Sequence, residues 1–309
     1  MPSLLVSTFR RLLKVELSPK GEMRDIEMVS GAHGVYFGLE RWGPVVFVAE
    51  RNLDINKEPI TPGDPQNAIR IYIRLPSGRM IRTPVYYKSK AFDDLHQIAY
   101  DRGALFVTSG KFPFLIRKGL FGGRRGIDIT GPVPEPYRRH DDHNHDAYHI
   151  NSVAVQGDHL IALAHNWDMP SFALRLSLKD ARRGKMTCTR VYEDLGFCCH
   201  DIIPDGDVFW TLDSGGSALV RVHVETGAMD RFVMTDAQGA PFDSAHGVPF
   251  PRGIDIMGDL LVISYGFNED RADRMDSNAM LAVFDTKQEA FVRHLSLGSH
   301  GNTCAVMAL

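Results

Sequence analysis

Hydrophobic and polar positions along this chain alternate with the short period of strands, and helical periodicity is scarce. Apolar runs such as "VVFVAE", "IRIYIRL", "ALFVTSG", "DVFWTLDS", "LLVISYG" and "MLAVFDT" are rich in Val, Ile, Phe and Leu and end at turn residues. Four stretches look like copies of one unit: 95–110, 148–166, 199–216 and 251–266. Each is a strand, a tight turn with glycine, and a second, more apolar strand. The turn glycines Gly103, Gly157, Gly206 and Gly258 fall 54, 49 and 52 residues apart.

A repeat of that length built from antiparallel strands is the mark of a propeller blade. Two of the units are followed by a further hairpin, "SALVRVHVETGAMDRFVM" and "AMLAVFDTKQEAFVRHLSL", which supplies third and fourth strands. The C-terminal "HGNTCAVMAL" resembles a first strand, and the N-terminus offers three more near "LLVSTFR", "LLKVELS" and "MRDIEMV". Joined, they would complete a blade and hide both edges. The expectation is an all-β protein: one β-propeller domain over residues 1–309, six-bladed, with N- and C-terminal strands sharing one blade. The outer strands of the second blade are weakly marked over 117–147.

Composition narrows the function little. The chain has 309 residues, 44% of them hydrophobic, and a formal net charge of -3. Nothing in that balance asks for nucleic acid or an anionic membrane. No apolar segment approaches the ~20 residues of a membrane helix. The four cysteines (Cys188, Cys198, Cys199 and Cys304) match no zinc ribbon or redox pair, which fits a reduced, cytoplasmic setting.

The histidines carry the chemistry. In a propeller, the entry to each first strand and the loop after each second strand share one face. His33, His96, His149, His200, His246 and His300 sit at or before first strands, and His140, His143 and His145 lead into His149 through "HDDHNHD". His165, in "HNWD", follows a second strand. Aligning turn glycines makes Gln97, Asn151, His200 and Arg252 equivalent. His149 lies two residues before Asn151 on the same strand face, and His300 and Asn302 repeat that H-x-N pattern.

Converging imidazoles suit a divalent transition metal: iron, copper, manganese or zinc. The expected ligands are His96, His149, His200 and His300. Asp201 and His246 are candidate proton-transfer groups, and His143 is a further one from the rim loop. Arg252 would clamp a substrate carboxylate, with Asn151, Asn302 and Trp167 as further substrate contacts. The expected activity is that of a metal-dependent lyase, hydrolase or oxygenase acting on a small organic, anionic molecule. Two alternatives stand beside it: a non-catalytic propeller that binds a peptide or protein partner, and a metal-free His–Asp acid–base enzyme. The basic, glycine-rich "IRKGLFGGRRG" (116–126) reads as a solvated loop able to hold an anion. "HNHDAYH" is similar to a metallo-hydrolase signature, but its aspartate and last histidine are misplaced. No GxSxG elbow, Walker loop or HExxH helix is present.

The units "CHDIIPDGDVFWTLDSGGSALVRVHVETG", "YHINSVAV" and "PRGIDIMGDLLVISYG" resemble those of uncharacterised bacterial six-bladed propeller families, which carry similar H-D-I, H-x-N and R-G patterns at blade starts. That resemblance implies the fold and no known reaction. The site plan is also similar, remotely, to that of carotenoid cleavage oxygenases and of propeller lyases, in which histidines hold a metal. Fold alone does not fix chemistry.

Overall fold

The computed structural model describes residues 2–31, 34–54, 58–89, 92, 94–109, 114–119, 124–128, 133, 148–183, 185, 187–236, 238–240, 242, 247–267 and 273–309. The chain is all-β in a β-propeller arrangement. In chain order, β1 (Ser3–Thr8), β2 (Arg11–Leu17) and β3 (Met23–Gly31) come first. They are followed by the sheet β4 (Val35–Trp42), β5 (Val45–Arg51), β6 (Asn67–Arg74) and β7 (Met80–Tyr87). The next is β8 (Leu95–Asp101), β9 (Ala104–Ser109), β10 (Phe114–Gly119) and β11 (Arg124–Asp128). Then come β12 (Ile150–Gln156), β13 (His159–Ala164), β14 (Phe172–Ser177) and β15 (Cys188–Tyr192). The group β16 (His200–Asp205), β17 (Val208–Asp213), β18 (Ala218–His223) and β19 (Met229–Val233) follows. The last full sheet is β20 (Pro249–Met257), β21 (Leu260–Phe267), β22 (Ala279–Asp285) and β23 (Ala290–Gly298). Finally β24 (Thr303–Ala308) pairs antiparallel with β1, so C-terminal and N-terminal strands share one sheet as the sequence suggested.

The molecule divides into two compact units. The first comprises residues 1–88, 217–219 and 231–309, and the second residues 89–216 and 220–230. Five four-stranded sheets lie whole within one unit. The strands β16–β19, the sixth group, are divided between them.

The repeat follows from burial. The second strand of each repeat is largely apolar because both its faces are covered: every residue of β9 and β17 is buried, and so are the last five of β13. Outer strands such as β3 and β19 are largely exposed and carry charge. In the second unit, Leu163, Ile161, Ala173, Ile202 and Phe209 close one core between β12–β15 and β16–β17. In the first, Leu5, Leu12, Tyr36, Val46 and Val48 close another. Removing one such side chain, as in Leu163→Ala, costs about 2–5 kcal/mol.

Two sequence expectations change here. The glycine-rich 116–126 stretch is not a plain loop: β10 and β11 pair antiparallel from Phe114↔Asp128 to Lys118↔Arg124 and complete the weakly marked blade. The equivalence of His200 with Asn151 also shifts by one residue. Each inner strand has a bulge near its start, where the ladder skips a residue. The skip falls at Asn151 in β12, Asp201 in β16, Arg252 in β20 and Cys304 in β24, and across 37–38 in β4 and 96–97 in β8. Asp201, not His200, is therefore the counterpart of Asn151 and Arg252.

Candidate metal and ligand site

The bulges explain how imidazoles gather in the second unit. A bulge bends its strand and re-aims the residues beside it. His149, just before β12, has φ +45°, and Asp94, just before β8, has φ +60°. Asp201 stands in its bulge at φ +55°. Such left-handed backbone in non-glycine residues costs of order 1 kcal/mol each and persists only where surroundings hold it.

Those surroundings are visible. Asp201 Oδ1 accepts from Gln97 Nε2 at 2.8 Å, from Ser152 Oγ at 3.3 Å and from its neighbour's amide, Ile202 N, at 2.9 Å. One carboxylate oxygen thus ties β8, β12 and β16 together, which gives Asp201 a positioning role. Asn151 Nδ2 donates to Cys199 O at 2.8 Å and joins β12 to the loop before β16. Asp213 Oδ1 accepts from the amides of Phe197 and Gly216, both at 2.9 Å, and pins the 196–200 loop. A Cβ on Gly196, whose φ is +125°, would lie 2.2 Å from Asp213 Cγ, so only glycine fits there.

On this frame stands a row of four imidazoles. Asp94 Oδ2 lies 3.7 Å from His96 Nε2. The rings of His96 and His149 are 4.7 Å apart edge to face, His149 and His165 are 5.2 Å apart, and His165 and His200 are 5.3 Å apart. The indole of Trp167 covers His149 at 4.6 Å and reaches His165 at 5.2 Å. His149 and His165 are buried, while Trp167 remains 41% exposed. Asp94, His96 and His149 each offer a donor atom, all within 4.8 Å of one another. Donors around one bound ion lie roughly 3 Å apart, so closing on an ion takes small side-chain rotations. One carboxylate and two imidazoles fit a divalent transition metal by donor chemistry.

Hydrogen bonds set His165 and His200 in opposite tautomers. Trp167 N–H donates to His165 Nδ1 at 3.2 Å, so the neutral ring carries its proton on Nε2. His200 Nδ1 lies 2.7 Å from Cys198 O, which can only accept, so Nδ1 holds the proton and Nε2 the lone pair. Ser214 Oγ, 2.9 Å from the same nitrogen, steadies that ring.

The other predicted site residues fall as follows. His143 and His246 lie outside the described residues, as do His33, His140 and His145. His300 is in the first unit, where its carbonyl accepts from Thr8 Oγ1, and burial holds its imidazole below the ordinary histidine value. Asn302, also there, is committed to structure: Nδ2 donates to Phe267 O at 3.2 Å and Oδ1 accepts from Ser277 at 2.9 Å. Arg252 lies over the rings of Phe250 (5.1 Å) and Phe9 (5.9 Å) in that unit. Of the adjacent cysteines, Cys199 is core, and Trp210 is sheet packing with Nε1 3.2 Å from Asp205. Asp94 was not singled out from the sequence, although its two-residue spacing to His96 was there to be read.

Comparison with solved structures shows the same fold. The chain is similar to a chain of the nidogen/laminin complex, with a TM-score of 0.68 and 11% identity over 100% of this chain and 98% of that one. A Bacteroides caccae protein of unknown function has a TM-score of 0.62 at 10% identity, covering 100% and 98%. A candidate 6-phosphogluconolactonase from Bacteroides fragilis has 0.56 at 12% identity, again covering 100% and 98%. No protein-family model matches the sequence, and no curated protein is similar to it in sequence. At such identities the likeness is one of fold, so the chain is a β-propeller protein whose chemistry must be read from its own residues.

Proposed function

We propose that this propeller is a metal-dependent enzyme acting on a small organic molecule at the imidazole row. The observation that carries the reading is the meeting of Asp94, His96 and His149, three donors from two separate strand entries, within 4.8 Å. Iron, copper, manganese or zinc would supply Lewis acidity or an activated water when bound. The chain's own residues divide the remaining work. His200, with its lone pair on Nε2, is suited to take a proton. His165, with its proton on Nε2, is suited to donate a hydrogen bond to an oxygen carrying negative charge. A lyase or hydrolase step uses both. The nearby structural relatives include a candidate lactonase, and that name supports an enzyme reading only loosely.

The test is a calorimetric titration of Zn²⁺ or Mn²⁺ into protein prepared without a polyhistidine tag. One ion per chain should bind, and His149→Ala or Asp94→Ala should weaken it by ~100-fold or more. Binding of equal strength in those variants, or none in the parent protein, would refute the reading.

A further inference from the structure

We infer that the ligand at this site carries a flat, unsaturated ring stacked on Trp167, with an oxygen donor directed at the imidazole row. The inference deepens the metal reading above and rests on it for the oxygen donor.

Trp167 is held out against ordinary preference. It and Asn166 are consecutive non-glycine residues in the left-handed region, with φ +51° and +61°. Asparagine tolerates that region, but a bulky residue such as tryptophan avoids it and stays there only where its surroundings hold it. The loop is stitched to bear this. Asn166 N donates to Tyr148 O at 3.1 Å, Asn166 Nδ2 to Pro170 O at 2.9 Å, and Ser171 Oγ to His165 O at 2.8 Å. The outcome is an indole tilted by 48° against the His149 ring at 4.6 Å, in a residue that remains 41% exposed. Phe197, 49% exposed, stands on the adjoining loop, which Cys198 Sγ brings to within 3.8 Å of Trp167 O. Exposing a tryptophan against a row of imidazoles forgoes burial that would stabilise the fold, and a ligand stacked on the indole would restore part of it.

A sugar ring could also stack on indole, but a polyol needs many hydrogen-bonding groups. In these two loops Asn166, Ser171, Asp213 and Ser214 already bond within the protein. Among the described residues, the exposed indole of Trp167 stands against imidazole edges and is followed in its loop by one exposed carboxylate, Asp168, a balance that favours an aromatic or enolic ring over a polyol.

The probe is catechol, compared with its saturated analogue cis-1,2-cyclohexanediol and with methyl glucoside, each titrated into the Zn²⁺-loaded protein. Catechol should bind at least tenfold more tightly than the other two. Trp167→Leu should erase most of that preference, while Trp167→Phe, which keeps a flat ring, should retain it. Both variants should still bind one Zn²⁺ per chain, because the indole donates nothing to the ion. If Zn²⁺ binds but catechol gains nothing over cyclohexanediol, or methyl glucoside binds best, the inference fails and the metal reading stands. If Zn²⁺ does not bind the parent protein, the metal reading fails. Catechol preference lost in Trp167→Leu would then still support the stacking site.

Discussion

The inner strands of the two units use one backbone device for two kinds of chemistry. All six carry a bulge near the start. In the second unit the bulges and the loops beside them present His96, His149, His200 and the tethering carboxylate of Asp201. In the first they present Arg252, Cys304 and Phe37. There Arg51 lies 4.4 Å over the Phe37 ring, and the Cys304 thiol is pushed up to about 12 by burial, an effect its arginine neighbours only partly offset. One unit therefore offers imidazole nitrogens, and the other offers cations stacked on aromatics. The bulge sets where a side chain is aimed. The residue standing there, and the hydrogen bonds that hold it, decide what it can do.

That contrast can be broken most sharply at its tethers. Asp201→Ala removes the shared acceptor of Gln97 and Ser152 and should lower the stability of the protein by about 3 kcal/mol in urea unfolding. Zinc affinity should fall as well, because β8 and β12 lose their common anchor. An unchanged affinity would show that the imidazole row does not depend on that carboxylate. In the first unit, Asn302→Ala should cost about 2 kcal/mol of stability and leave zinc affinity untouched, since its two bonds hold only Phe267 and Ser277.

The smallest effect is a pH dependence in the first unit. His294 lies between Tyr265 OH at 3.0 Å and Thr235 O at 2.7 Å, and burial holds its pKa below the ordinary histidine value. Above pH ~6.5 the ring is neutral whether the chain is folded or not, and its contribution is fully present. As pH falls through that value the unfolded chain takes up a proton that the folded ring resists, so stability declines until the lowered folded pKa is reached. Denaturant midpoints at pH 7.5 and 5.5 should show this decline, reduced in His294→Gln. An equal decline in that variant would assign it to other groups.

The propeller was legible because strand burial leaves a repeating mark: a first strand, a glycine turn, and a second, more apolar strand. The shared N- and C-terminal sheet was legible for the same reason, as "HGNTCAVMAL" needed a partner and β1 provided one. Of the site, His96, His149 and His200 were found from their places at first-strand entries, and Trp167 from its place on the loop after a second strand. Counting from the turn glycines slipped by one residue at His200 because β16 has four paired residues between bulge and turn where β12 has five, a difference with no sequence signature of its own. Asp94 was hidden because a carboxylate before a strand looks like any turn residue. The tautomers of His165 and His200 depend on backbone groups at Trp167 and Cys198, whose directions follow from loop geometry and not from residue type. Asn302 looked like a ligand contact by its H-x-N pattern, yet it spends both ends of its amide on structure.

If the proposed site is right, the second unit's histidines, and not those of the first, hold the metal. Elemental analysis of protein purified without a polyhistidine tag or added metal separates the two, comparing the parent with His149→Ala and His300→Ala. Near-stoichiometric iron, copper, manganese or zinc is expected in the parent and in His300→Ala, with loss in His149→Ala. Metal retained in His149→Ala, or lost in His300→Ala alone, would contradict it.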